Sequence, residues 1–321
     1  MHAPVYGLLY SFHGFGHDGA YPAAGVISVN GTLYGTTRVG GGHGCRFREG
    51  CGTVYRIKAS GKETVLHRFK GGPADGEAPV ASLLNVNGTL YGTTALGGTY
   101  GNGTVFAITK SGHETVLYSF KGEPDGAHPQ APLLNVNGTF YGTTDAGGAY
   151  SCSSYFGGGC GTVFSITPPG QETVLYSFKG ATTDGQNPDA RLINVNGTLY
   201  GTTHGGGGKH CFFGVGAVCG TVFSITPSGK ESVLYVFKGG TTDGQNPDAG
   251  LINVNGTLYG TTTGAGAYNF GTVFSITPSG TETVLHSFGG YDGAVPQTDL
   301  VYVRGKLYGT TETGGGHCPY F

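Results

Sequence analysis

The chain has 321 residues, 65 of them glycine and none tryptophan, with 11% charged residues and a net charge of −2. No basic patch favours nucleic acid, and no apolar run reaches the length of a membrane span. Glycine at this level outside a G-X-Y period usually marks loose chain; here the glycines fall between strand patterns and read as turns and loops.

The chain opens on Val5-Tyr6-Gly7-Leu8-Leu9-Tyr10-Ser11-Phe12, a strand pattern that recurs later as E-T-V-L-Y-S-F. A long unit then repeats, roughly F-x-G-x-x-x-D-G-x-x-P-x-A-x-L-I-x-V-N-G-x-L-Y-G-T-T, a Gly-rich loop, and G-T-V-F-S-I-T-P-S-G-x-E-T-V-L-Y-S-F. The tyrosine of L-Y-G-T-T recurs at Tyr34, Tyr91, Tyr141, Tyr200, Tyr259 and Tyr308, a period of 49 to 59 residues. Such a period means a repeat architecture.

Four strand-like runs make up each copy. In the fifth they are Ala249 to Val254, Thr257 to Thr262, Thr272 to Thr277 and Glu282 to Phe288. All are rich in β-branched and aromatic residues. Asn255-Gly256 joins the first two, the strongest short hairpin signal, because a type I′ turn needs positive φ at both central residues. Pro278-Ser279-Gly280 joins the last two. No helical period occurs.

Four antiparallel strands in about 50 residues is the arithmetic of a propeller blade. The expected fold is all-β, a single six-bladed β-propeller domain over residues 1–321, with an open β-solenoid as the rival. The amino-terminal strand is expected to close the last blade, which lacks its third strand: either that blade is irregular or the chain is a fragment of a longer array. In that geometry the variable loops share one face, where binding residues concentrate.

The elements L-Y-G-T-T, G-T-V-F-S-I and T-V-L-Y-S-F-x-G-x-x-x-D-G resemble the GloVer tandem repeat over nearly the entire chain. The resemblance implies a propeller-like protein, bacterial and extracellular, secreted or held at the cell surface. It supplies no catalytic residues. The chain departs from the family pattern in having no sorting tail and no complete sixth repeat.

Six of seven cysteines form close pairs: Cys45 with Cys51, Cys152 with Cys160, and Cys211 with Cys219. Each pair brackets the loop between the second and third strands, and only where that loop is long. Local disulfides in an oxidising compartment explain this. A metal site is the alternative, since His43, His210 and His317 lie close before cysteines, but the spacing lacks C-x-x-C regularity. Cys318 has no evident partner. The expectation is therefore no metal and no cofactor.

Six copies serve as their own controls. The position after L-Y-G-T-T holds Arg38, Ala95, Asp145, His204, Thr263 and Glu312, while its neighbours barely change. A second variable position, at the start of the first strand, holds Arg191 and Asp299. Drift at a loop edge is one reading; an asymmetric pocket on a repeated frame is the other. Loop aromatics add Tyr155, Phe156, Phe212, Phe213 and Tyr268 as candidate ligand platforms. The six Asp-Gly elements at Asp18, Asp75, Asp125, Asp184, Asp243 and Asp292 read as turn caps.

No segment matches a catalytic motif. The leading expectation is a binding or scaffold module, recognising glycan or another surface polymer through the loop face. The alternative is a polysaccharide lyase or glycoside hydrolase. There His204 would serve as base, Asp145 or Glu312 as acid or base, and Arg38 or Arg191 as partner of a substrate carboxylate. A third reading is an assembly protein that self-associates through its incomplete last blade.

Overall fold

A computed structural model describes residues 7–316 apart from 15, 17, 43–44, 46–49, 155–156, 181–182 and 209–218. Every regular element among them is a strand. Five four-stranded antiparallel sheets follow one another, each in simple up-and-down order. The fifth runs Ile252–Val254, Thr257–Thr262, Thr272–Ile276 and Glu282–Ser287. The first strand is shorter than its sequence pattern suggests. The carbonyl of Ala249, which lies before it, accepts a bond from Thr202 Oγ1 of the preceding sheet and so joins sheets.

The Asn-Gly hairpins carry the backbone their sequence requires. Asn255 and Gly256 have φ of 52° and 89°, and the other four pairs match them.

The chain divides into two compact units, residues 1–121 with 130–133, and residues 122–129 with 134–321. Within the first, Phe69 closes one sheet and meets Phe106 of the next edge-on, ring centroids 5.2 Å apart. Within the second, Phe178–Phe223 and Phe237–Phe274 repeat that contact at 5.1 Å. These rings are essentially fully buried, each worth roughly 1.5–3 kcal/mol of transfer free energy.

L-Y-G-T-T is explained residue by residue. Tyr34, Tyr141 and Tyr200 are buried in the cores. The glycine seats the aromatic ring of the third strand: a Cβ on Gly260 would lie 2.7 Å from Phe274 Cζ. The first threonine bonds the next sheet, as Thr202 does. The second bonds the threonine that opens the third strand, at 2.8 Å in all five sheets.

The aspartates of the Asp-Gly elements are caps, as their sequence suggests. Asp243 Oδ2 accepts from Tyr235 OH and Lys238 N, both at 2.8 Å, and its Oδ1 accepts from Gly244 N at 2.7 Å. Asp184 repeats the set with Tyr176, Lys179 and Gly185.

The sixth copy differs from the other five. Among the described residues it is a two-stranded sheet, Val301–Val303 with Lys306–Tyr308. Residues 7–14 form no strand ladder. Side-chain contacts still hold that run in place: Phe12 meets Tyr55 edge-on at 4.9 Å, and Tyr10 OH donates to Asp18.

Disulfides join Cys45 to Cys51 and Cys152 to Cys160. Cys219 is also disulfide-bonded. Its expected partner Cys211 lies outside the described residues, as do Cys318, His43, His210 and His317. No helix among the described residues is long and apolar enough to cross a membrane.

Candidate functional site

Asp145 and His204 each follow the last threonine of a second strand, and the second unit brings them into one polar network. The backbone places them identically. Asp145 N donates to His128 O, and His204 N donates to Asn187 O. His128, Asn187 and Asn246 each precede a proline and sit at φ of 55–57°. Asparagine tolerates that left-handed region better than most residues. Both asparagines also use the side chain: Asn187 Nδ2 donates to Asp145 O at 2.8 Å and Asn246 Nδ2 to His204 O at 2.9 Å. Each amide thereby ties the end of one second strand to the start of the next repeat.

The prolines are followed by Asp189 and Asp248. His204 Nδ1 lies 2.5 Å from Asp248 Oδ1. Asp189, His204 and Asp248 each offer a ligand atom within 4.8 Å of the others, a set that could hold a divalent cation. The His204 side chain is 43% exposed and that of Asp248 is 21% exposed, so the cluster opens to solvent. Asp189 Oδ1, by contrast, is sealed and has no hydrogen-bond partner.

These environments move the titrations. Burial pushes the Asp189 carboxyl well up, the Asp248 charge adds to this, and His204 opposes it. Burial also raises Asp145, against the pull of His128, Asn187 and His204. For His204 burial acts downward. The Asp248 bond and the charges of Asp248, Asp189 and Asp145 outweigh it and hold the imidazolium up to about 9. At neutral pH the ring is therefore a cation and a donor, not a free base.

The other sequence candidates fall elsewhere. Arg191 Nε pairs with Asp299, whose Oδ1 also accepts from Gly250 N at 2.6 Å. The pair spans the intervening repeat because Gly250 leaves room: a Cβ there would sit 2.5 Å from Arg191 Cγ. Arg191 is thus already neutralised. Glu312 accepts from Gln297 Nε2 at 2.9 Å. Arg38 is exposed and belongs to the first unit. Tyr268 is 63% exposed. Tyr155, Phe156, Phe212 and Phe213 lie outside the described residues.

The repeat also matches known proteins. The profile of the Gloeobacter/Verrucomicrobia repeat covers residues 2–214 and 150–319. The chain belongs to this family. No curated protein matches it. Among solved structures, the Gloeobacter/Verrucomicrobia repeat chain is similar to a gluconolactonase from Xanthomonas campestris, 13% identical over 82% of this chain and 76% of that one, TM-score 0.44. It is also similar to a luciferin-regenerating enzyme, 13% identical over 94% and 87%, TM-score 0.46. A putative 6-phosphogluconolactonase from Bacteroides fragilis is 17% identical over 77% of this chain and 65% of its own, TM-score 0.45. These likenesses are distant, and none carries an activity to this repeat protein.

Sequence reading missed Asp189 and Asp248. The signal was available in the six copies. The residue after the proline is Ala23, Val80, Gln130, Asp189, Asp248 and Gln297. An acid stands there in two consecutive repeats only.

Proposed function

We propose that the protein is an extracellular binding module that recognises a polyhydroxylated polymer, a glycan in the first instance, through the loop-bearing end of its second unit. One observation carries this reading. Asp189, His204 and Asp248 converge from two consecutive repeats, the two acids at a position that holds apolar or amide residues in the other four copies and His204 at one that changes from copy to copy. Carboxylates accept bonds from vicinal hydroxyls, and an imidazolium donates to a ring or hydroxyl oxygen. A site that mixes both suits an uncharged sugar better than a polyanion. The local disulfides agree with an oxidising, extracellular setting.

Catalysis is the second reading, and the raised carboxyls favour it specifically. Asp189 or Asp145, whose titrations burial raises, would serve as general acid. The general-base role expected of His204 fits poorly with an imidazolium held at about 9.

A panel of polysaccharides, scored both for retention of the protein and for new chain ends by mass spectrometry, tests the proposal. Retention of the wild type, lost in His204→Ala and Asp248→Asn, is expected. New chain ends that vanish in Asp189→Asn would replace the binding reading with the catalytic one. No retention and no cleavage on any polymer would overturn both.

A further inference from the structure

The backbone around His204 is clamped from both sides. Its N–H donates to Asn187 O at 3.0 Å, and its carbonyl accepts from Asn246 Nδ2 at 2.9 Å. Asn187 stands two residues before Asp189, and Asn246 two before Asp248. A buried proline, Pro188 or Pro247, separates each asparagine from its acid. Each proline ring packs against a glycine. A Cβ on Gly161 would lie 2.5 Å from Pro188 Cδ, and one on Gly220 would lie 2.4 Å from Pro247 Cδ. Proline also fixes its own φ. The imidazole and both carboxylates are therefore mounted on short, rigid arms, which a precise coordination site requires of its scaffold.

Two further observations point to a cation among these arms. Asp189 Oδ1 is sealed from solvent and has no hydrogen-bond partner; no other aspartate oxygen among the described residues is left so. Such an atom calls for an ion or a water that the chain itself does not supply. The second observation is the donor set. Asp189, His204 and Asp248 each offer a ligand atom within 4.8 Å of the others. Two carboxylates and a neutral imidazole together carry two negative charges, which one divalent cation cancels. The His67, Asp75 and Glu114 set lacks this readiness, because Asp75 already accepts from Lys70 N at 2.9 Å and Gly76 N at 2.7 Å.

We infer that Asp189, His204 and Asp248 form a binding site for a divalent transition-metal ion of the zinc type. This deepens the proposed function and rests on the same reading of the cluster as a ligand site. The imidazole decides the class of ion. Calcium takes six to eight oxygen ligands and magnesium keeps several waters, whereas a nitrogen donor beside carboxylates suits zinc and its neighbours. Zinc prefers four ligands, so three from the protein leave a position open. The His204 and Asp248 side chains are partly exposed, and that position faces solvent. A hydroxyl oxygen of the polymer would enter there. His204 Nδ1 and Asp248 Oδ1 now share a proton at 2.5 Å; metal binding displaces it, and it passes to solvent.

The test uses the whole chain, stripped with a chelator, and zinc alone. Binding is read by titration calorimetry and by the melting temperature. The wild type should show a saturable site and melt higher with zinc, as linkage requires. His67→Tyr restores the residue that stands at Tyr176 and Tyr235 and removes the other histidine–carboxylate set; it should leave that site intact. His204→Ala and Asp248→Asn should each weaken it by more than about tenfold, the least that even an outer partner is worth to a metal site. Without zinc, both should fold as the wild type does. No zinc binding by the wild type would overturn the inference. So would binding that survives both substitutions or vanishes in His67→Tyr, since the ion would then sit elsewhere. Calcium bound as tightly as zinc would overturn the class of ion. Polymer retention is scored separately. Zinc bound with no polymer retained would leave the metal site standing and remove the glycan reading. Polymer retained by a chain that binds no zinc would do the reverse.

Discussion

Among the described residues, two clusters contain a histidine and two carboxylates, and they differ in kind. His67, Asp75 and Glu114 lie in the first unit; Asp189, His204 and Asp248 lie in the second. Composition alone would rank them equally. The repeat separates them. Asp75 is one of the Asp-Gly caps, accepting from Lys70 N at 2.9 Å and Gly76 N at 2.7 Å. His67 stands where Tyr176 and Tyr235 stand, and Glu114 where Glu231 and Glu282 stand. The first cluster is therefore scaffold with one exchanged residue. His204 and its acids occupy positions that change from copy to copy. In a repeat protein, recurrence of a polar constellation argues for architecture, and its singularity argues for a site.

The largest expected effect tests the scaffold half of that comparison. Asp243→Ala should strand the Tyr235 hydroxyl and two backbone N–H groups around a side chain that is nearly fully buried. Loss of a buried, charged acceptor costs about 3–5 kcal/mol. His204→Ala should cost less than about 1 kcal/mol, as its ring is 43% exposed. Denaturant unfolding of both variants measures the difference, and equal losses would break the distinction. Next comes the crosslink. Replacing Cys152 and Cys160 with serine should lower stability by about 2–3 kcal/mol, the loop-entropy value for a short ring, and leave the His204 network unchanged.

A pH titration sharpens the scaffold reading further. Burial and the neighbouring Asp75, Asp184 and Asp243 raise Glu114, Glu231 and Glu282 to about 7 each, above an ordinary 4.5. The folded state therefore holds these protons more tightly than the unfolded chain. Their stabilisation is full below pH 4.5 and is lost as pH rises through about 7. The melting temperature should be higher at about pH 5.5 than at about pH 8. Glutamine at all three positions should flatten that slope. An unchanged slope in the triple variant would show that other groups set it.

The sequence reveals the scaffold better than the site, for a physical reason. Each scaffold rule acts within a few residues and is then repeated. Asn255-Gly256 fixes its hairpin locally, the glycine of L-Y-G-T-T marks a ring seat, and Asp243 caps its own turn. The cysteine pairs were legible because both partners flank one loop. The site instead joins residues 44 positions apart, His204 and Asp248, across a sheet boundary. Local pattern carries no such information, although the doubled N-P-D at residues 187–189 and 246–248 marked the place. Arg191 misled for the converse reason. Variation pointed to function, but its charge is used internally by Asp299. The amino-terminal run has the composition of a strand, yet residues 7–14 form no ladder: composition records propensity and not pairing.

The smallest expected effect is the most discriminating. Asp189→Asn removes a carboxyl whose Oδ1 is sealed and unpartnered, and whose ionisation burial and Asp248 oppose. A structural acid of the Asp243 kind would lose stability on this exchange. A carboxylate kept for a ligand should lose none and gain slightly, because an amide of the same shape carries no charge to desolvate. The gain should grow with pH. Burial and the Asp248 charge raise the Asp189 titration, so the cost of the charge is absent at low pH and appears as pH rises through the folded value. The expected result is a stability gain that is larger at high pH than at low pH, with loss of polymer retention at either. Stability and binding would then move in opposite directions at one residue, which no scaffold position in the repeat should do.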